Sequence, residues 1–423
     1  MAPVKLFSAA RILVGPNLEP MAHAAILVEN GKIAAVGPRS DVQSPSGTEI
    51  IDLGDATLVP GLIDAHLHTF GVDSTRLHTL ATEHESYRAA RTLSELRELL
   101  HAGFTSARCL GSTIGPQVRR AIDEGFAEGP RLKVAGGFIS STSGTWDSSG
   151  TPLLIARSGG ELADGVEGLV LKVRERVRQG ADFIKLGLSK GGVHDRYHAW
   201  GDDPLNQVAC YSVAEVRAAV DEAHRNGLRV SAHAIGEDAV KLALDGGIDV
   251  IEHGYGISDE TRQRIVAEGK IVVTTLSQIH YHRQAYDKFN YPEWEREVYE
   301  RHWVYMLRDF KRGLEDGVRF ALGTDLVGAP THPLSAAAME FVLTVQCGMA
   351  PSAVLRAGTI IAAEVLGSQS VTGSIEVGKF ADLIATKLDP TKDISTLLEP
   401  TLVVKGGDLI RTKVAHSCSV ESD

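Results

Sequence analysis

LVPGLIDAHLH, residues 58–68, decides the fold. In its second half Asp64, His66 and His68 alternate with Ile63, Ala65 and Leu67. A strand repeats every two residues, so a β conformation sends both histidines to one face at the strand's C-terminal end. That end of a parallel strand is where barrel enzymes place their chemistry. Two imidazoles so spaced can hold one metal ion, but an HxH motif standing alone is a modest signal.

Further along the chain, short apolar runs recur at 62–68, 104–110, 132–139, 183–188, 228–234, 248–253, 271–276 and 318–324. Helical patterns lie between them. SVAEVRAAVDEAHRNG has apolar residues at 213, 216 and 220, a 3.6-residue rhythm; Ser212 and Glu215 predict a capping box, and Gly227 the helix exit. TLSELRELLHAG predicts the same arrangement with Thr92, Glu95 and Gly103. Strands alternating with helices imply a parallel sheet, because parallel strands need crossover connections. Eight such units fit a (β/α)8 TIM barrel. The rival open, doubly wound sheet predicts a Gly-rich phosphate loop, and neither GxGxxG nor GxxxxGK[ST] is present.

The ends of the chain have a different texture. Residues 1–57 read as short strands with a hairpin turn at Glu29-Asn30-Gly31, and GSIEVGKFADLIAT and PTLVVKGGDLIRTKVAH read likewise near the C-terminus. The expected organisation is an α/β chain: a small β-sandwich domain from both termini, residues 1–57 and 370–423, around a barrel at 58–369.

Composition narrows the function. The chain has 423 residues, 43% hydrophobic and 23% charged, with net charge −11. That charge, without a Lys/Arg cluster, argues against a nucleic-acid partner. No run of 18 apolar residues exists to span a membrane. Cys109, Cys210, Cys347 and Cys418 form no CxxC pair and no disulfide framework. Arg11 interrupts the N-terminal apolar run, so no secretion signal is read, and a cytoplasmic location is expected.

Other strand ends supply the company that His66 and His68 need. FIKLGLS places Lys185 inside an apolar strand, where a lone ammonium is costly. It either pairs with a carboxylate or reaches the rim, or it is carboxylated and bridges metals as an oxygen donor. SAHAIG ends with His233, IEHGYG carries His253, and ALGTD ends in Asp325. Each alone is more often a satisfied core group. Ligand-type residues on five of eight strands at one end point to a metal site, and the donors suit Zn²⁺ as well as Mn²⁺, Co²⁺ or Fe²⁺.

The HLH pair, Lys185, the two later histidines and the GTD aspartate together resemble the amidohydrolase superfamily. The likeness covers nearly the whole chain, including LVPGLIDAHLH and GSIEVGKFADLI. The GGV after Lys185, EAHRNGLRVSAHAIGEDA, IEHGYG and GTD resemble the binuclear branch that cleaves dipeptides and N-acyl amino acids, with its prolidase-like, carboxypeptidase-like and ochratoxin-degrading members. The resemblance implies two divalent metals, zinc first among them. His66, His68 and Asp325 would hold the buried one, His233 and His253 the more exposed one, and carboxylated Lys185 would bridge them with a hydroxide. Asp325 would also be catalytic, passing the hydroxide's proton to the leaving nitrogen. A homo-oligomer and a small-molecule or dipeptide substrate, ochratoxin A included, are implied as well. One departure stands out: relatives often read like TGGHGD after the third strand, whereas here ISSTSGTWDSSG puts Thr145-Trp146 near the expected histidine.

Loops after barrel strands read the substrate. In GGVHDRYHAWGDDP, Arg196, Tyr197 and His198 are candidates for binding a carboxylate, weighed equally against a solvated loop. Trp146, Tyr255, His280 and His282 are candidate pocket residues, each also readable as packing. Two other functions compete with amide hydrolysis next to a C-terminal amino acid. One is cyclic-amide hydrolysis or deamination on the same scaffold, and Lys185 argues against the mononuclear deaminases. The other is a non-catalytic barrel, against which all six ligand positions are filled.

Overall fold

The computed structural model describes residues 4–147, 152–158, 160–189 and 209–412. Each apolar run of the middle segment coincides with a strand: β1 (Leu62–Leu67), β2 (Phe104–Cys109), β3 (Arg131–Val134), β4 (Ile184–Gly187), β5 (Val230–Ala234), β6 (Val250–His253), β7 (Ile271–Thr274) and β8 (Arg319–Leu322). All neighbouring pairs are parallel. β1, β2 and β3 form one sheet, and β4 to β8 form another in sequence order.

The sheets touch along both edges. Ile139, beyond β3, bridges Leu186 of β4; its N–H donates to Lys185 O at 3.1 Å and its carbonyl accepts from Gly187 N at 2.9 Å. On the other side Leu67 bridges Leu326, just past β8, and His68 N–H donates to Leu326 O at 2.9 Å. The run at 132–139 is thus strand only in its first part. The glycines at 136 and 137 follow it, and Gly136 has φ +71°, which breaks the ladder before Ile139 rejoins it.

Helices fill the connections. Val213–Arg225 begins with the expected capping box: Glu215 N–H donates to Ser212 Oγ at 3.4 Å, and Ser212 N–H donates to Glu215 Oε2 at 2.7 Å. Gly227 follows its end at φ +72°. The second expected cap is corrected. The helix runs Glu85–His101 and passes through Thr92, which is buried and donates to Thr69 O at 3.4 Å. ESYRAAR holds no Gly or Pro, so the helix extends back through it.

The chain ends meet in one eight-stranded sheet. Lys5–Val14, Glu19–Glu29, Lys32–Pro38, Glu49–Asp52 and Thr57–Pro60 join Leu383–Thr386, Leu402–Lys405 and Asp408–Thr412. Thr57–Pro60 pairs with both Lys5–Val14 and Leu383–Thr386, which ties the termini together. Asn30 and Gly31, at φ +51° and +77°, make the hairpin turn between the second and third of these strands. Phe7, Ile12, Ile26, Leu58, Leu383 and Val404 form an apolar cluster of their own. The chain leaves this sheet at Gly61, where a Cβ would overlap Thr105. No helix among the described residues is long and apolar enough to cross a membrane.

Candidate metal centre and active site

β1 carries His66 and reaches His68 at its end; β8 is followed by the turn that carries Asp325. Their approach depends on Gly323, where a Cβ would collide with that of His66. Asp64 fixes the turn: its carboxylate accepts from Thr324 Oγ1 at 2.6 Å, Thr324 N at 3.1 Å and His66 N at 3.0 Å. Burial pushes its pKa up to about 6 against those hydrogen bonds. Asp325 Oδ1 then lies 3.2 Å from His66 Nε2 and 3.1 Å from His68 Nε2. These three residues offer ligand atoms that all lie within 4.8 Å of one another.

His253 and Asp325 both sit at positive φ, +70° and +55°. Left-handed backbone is costly for residues other than glycine and clusters at functional sites. Here it turns ligand-type side chains inward at two strand ends.

Each of three histidines has its Nδ1 engaged. His66 Nδ1 lies 2.7 Å from Glu252 Oε2, His68 Nδ1 3.2 Å from Gly111 O, and His253 Nδ1 2.9 Å from Thr275 Oγ1. A hydrogen on Nδ1 donated to these acceptors leaves the Nε2 lone pair for a metal, the usual outer support of such ligands. Glu252 is itself clamped by Arg108 and Ser231. Burial works against its charge, but Arg108, His66 and Lys185 outweigh it and hold the carboxyl well below the usual range.

Lys185 and His233 differ from the other ligand candidates. Lys185 is 1% exposed, and among the described residues its Nζ has no hydrogen-bond partner; His233 Nε2 is likewise buried and has none among them. The expectation that Lys185 either pairs with an acid or serves a metal is therefore narrowed, since no acid among the described residues pairs with it directly. Burial pushes its pKa down to about 8, against the opposing pull of Glu252 and Asp325. Burial, then neighbouring His253 and Lys185, hold His233 well below its ordinary value, so its ring is neutral and its lone pair available. His233 and His253 have ring centroids 4.7 Å apart, and His66 and His253 5.0 Å. Buried donors with no protein partner, converging at strand ends beside a preformed His/His/Asp set, fit a metal site.

The strand ends open into a cavity. All six ligand candidates line it. Trp146 lines it too, with its ring 4.7 Å from Phe138, 5.4 Å from Phe70 and 5.6 Å from His68. The Thr145-Trp146 departure therefore puts an indole beside the metal-ligand cluster, while Thr145 donates to Ser189 O. His282 also lines the cavity, its Nδ1 2.8 Å from Tyr291 OH and its Nε2 2.8 Å from His332 Nε2.

Two candidates point elsewhere. Tyr255 lies outside this cavity, buried, with its hydroxyl 2.8 Å from His302 Nδ1. His280 is half-buried against Tyr281, its Nε2 3.0 Å from Gln284 Nε2, and does not line the cavity. Arg196, Tyr197 and His198 lie outside the described residues. Sequence reading passed over Glu252, Arg108, Gln278 and His332. Glu252 and Arg108 carry the signal that exposed Lys185, a charge inside an apolar strand; Gln278 and His332 carry no such signal.

The amidohydrolase family model matches residues 57–410. The chain is 32% identical to the ochratoxinase of Aspergillus niger over 435 aligned positions, covering 95% of this chain and 86% of that one. The crystal structure of A. niger ochratoxinase superposes with TM-score 0.84 at 29% identity, over 97% of this chain and 96% of that one. A Xaa-Pro dipeptidase crystallised with methionine in its active site gives TM-score 0.84 at 27% identity, over 96% and 99%. The chain belongs to the amidohydrolase family. It is a hydrolase of amide bonds, in a family that is typically metal-dependent, and its structural neighbours are TIM-barrel enzymes.

Proposed function

We propose that this enzyme cleaves the amide bond to a C-terminal amino acid in dipeptides or N-acyl amino acids, ochratoxin A among them, using two divalent ions, zinc first. The observation that carries the reading is the pair of buried donors, Lys185 Nζ and His233 Nε2, which have no partner among the described residues and stand among histidines whose Nδ1 atoms are engaged. His66, His68 and Asp325 would hold one ion and His233 and His253 the other, with Lys185 bridging. Neutral Lys185 adds to CO₂ and loses a proton to give that bridging carbamate. Bound ions would lower the pKa of water and polarise the scissile carbonyl. Asp325 then accepts a proton at a carboxylate oxygen and returns it to the leaving nitrogen. Trp146 and His282 border the substrate, and the Arg196, Tyr197 and His198 loop binds the leaving amino acid's carboxylate.

The same reading closes the eight strands into a barrel spanning 58–369, beside a β-sandwich from 1–57 and 370–423, in a homo-oligomeric cytoplasmic protein. The two edge contacts through Leu67 and Ile139 support closure. The printed activities of the ochratoxinase and dipeptidase relatives support the substrate class. The test is a screen of dipeptides and N-acyl amino acids with zinc present, each substrate offered with a free and an amidated carboxylate. Amidation should cost about ten- to a hundredfold in kcat/KM, the worth of one charged hydrogen bond. Equal rates on both forms would overturn the C-terminal assignment.

A further inference from the structure

The helix Leu276–Ala285 follows β7, and its first turns face the cavity. Gln278 and His282 stand four residues apart, on one helical face, and both line the cavity; His280, between them, does not. Gln278 is 6% exposed, and its Oε1 is fully buried with no hydrogen-bond partner among the described residues. A buried amide left in this state costs free energy that a well-matched ligand group recovers.

The neighbouring imidazoles are organised as neutral groups. Thr331 Oγ1 donates to Ser74 Oγ at 2.7 Å, so it accepts from His332 Nδ1 at 2.8 Å. His332 Nε2 then accepts from His282 Nε2 at 2.8 Å, and His282 Nδ1 accepts from the Tyr291 hydroxyl at 2.8 Å. One proton per ring satisfies these three links. The described lining holds one Lys or Arg, Lys185, while the carboxylate of Glu295 also borders the cavity. This wall supplies no fixed positive charge for an anion.

We propose that Gln278, beside the His282–His332 pair, forms a specificity subsite for an uncharged substrate group that presents a hydrogen-bond donor and acceptor side by side, such as a carboxamide. A carboxamide meets both ends of the Gln278 amide at once. An ammonium would leave the Gln278 Nε2 hydrogens unmatched, and a carboxylate would leave Oε1 unmatched and face Glu295. Building on the function proposed above, the leaving amino acid brings a charged carboxylate that this wall does not match, so the subsite receives the acyl half. The preferred substrates are then amino acids whose acyl group carries a second, uncharged polar function.

The test uses four analogues of an N-acyl phenylalanine in which a CH₂ replaces the scissile NH, so that none is hydrolysed. Their acyl chains are of matched length and end in carboxamide, branched alkyl, carboxylate or ammonium. Each is titrated calorimetrically into the enzyme as purified and into Gln278→Leu. The carboxamide should bind on the order of tenfold tighter than the alkyl analogue, and the ratio should fall to near one in Gln278→Leu, whatever that variant's absolute affinity. Circular dichroism confirms that the variant folds, and Gln278→Asn, which keeps the amide, should retain part of the preference. Preference for carboxylate or ammonium, an unchanged ratio in Gln278→Leu, or no binding by any analogue overturns the subsite. The two readings fail differently: no binding by any analogue removes the N-acyl amino acid reading together with the subsite, whereas binding of all four with no carboxamide preference overturns the subsite alone.

Discussion

His66, His68 and Asp325 hold one another in place, whereas Lys185 and His233 hold nothing. In the first group an Asp325 oxygen sits within 3.2 Å of both imidazoles, and Glu252 and Gly111 fix the rings from behind. In the second, a buried amine and a buried ring nitrogen have no hydrogen-bond partner among the described residues. The difference follows from chemistry. Thr324, held by Asp64, and the close approach at Gly323 bring the Asp325 turn against the His66 strand, so one half can be preformed by the chain alone. In the function proposed above, Lys185 becomes an oxygen donor only after carboxylation, so the other half would stay incomplete until CO₂ and an ion are present.

Lys185→Ala breaks this comparison most severely. The open half then has no bridge, and both activity and most of the metal should be lost, by more than the ~10–100-fold that removal of an outer support costs. Small carboxylates should restore part of the activity. Elemental analysis and turnover measured on one preparation decide it; full activity with two metals bound removes the bridging role.

Asp325→Asn comes next. The side chains match in size, so the fold should persist and the histidines retain an oxygen neighbour. Turnover should drop by the ~10²–10⁴-fold typical of lost general acid–base catalysis. Metal content has to be measured on the same sample, since a weakened ligand gives a similar loss. A metal-replete variant with near-normal turnover would show that another group moves the proton.

How much of this was legible depends on what fixes each residue's direction. The eight strands, and the placement of the six ligand candidates around one cavity, could be read because period two alternation and parallel connections leave a strand-end side chain little freedom. The residues beyond the strand ends had no such constraint. Tyr255 follows His253 closely, but positive φ at His253 and the glycines at 254 and 256 turn the chain, and the phenol meets His302 instead. His280, Tyr281 and His282 read as one loop but lie on a helix, so one histidine reaches the cavity and the other faces away. Thr92 misled because its cap chemistry was present while nothing in ESYRAAR stopped the helix. Glu252 was visible in principle: the cost of a buried charge applies to it as it does to Lys185.

Glu252→Gln and Thr275→Val sharpen the comparison by weakening the two halves separately. Gln keeps the shape of Glu252 but loses the charge that faces Arg108 and His66. Metal affinity at the preformed half should fall ~10–100-fold, and Arg108 is left unpaired in the interior, which carries its own stability cost. Thr275→Val removes only the hydroxyl behind His253, so its effect should lie at or below the low end of that range and fall on the other ion. Competition with a graded chelator, followed metal by metal, separates them. Identical release profiles for the two variants would mean that the halves are one cooperative site.

The smallest expected effect concerns the support of the open half. Glu340 is buried and accepts from Thr274 Oγ1 and Leu276 N, each at 3.0 Å, and from Ser277 N at 2.6 Å, on both sides of the Thr275 that holds His253. Burial raises its pKa from 4.5 to about 7 in spite of those donors. A carboxyl with a raised folded-state pKa binds its proton more tightly in the native protein. Its contribution to stability is therefore fullest below about pH 4.5 and is lost as pH rises through about 7. Glu340→Gln cannot ionise and should lack this slope. The stability difference between variant and wild type should shift toward the variant across that window, by no more than about 3 kcal/mol, and level off above it. Denaturant titrations of both proteins at pH 5, 6, 7 and 8 measure the difference, and groups common to the two cancel. Gln still offers an oxygen to Ser277 N, so His253 should keep its place and metal content should not change. A difference constant across all four pH values would mean that Glu340 stays charged throughout, held by its three donors against burial.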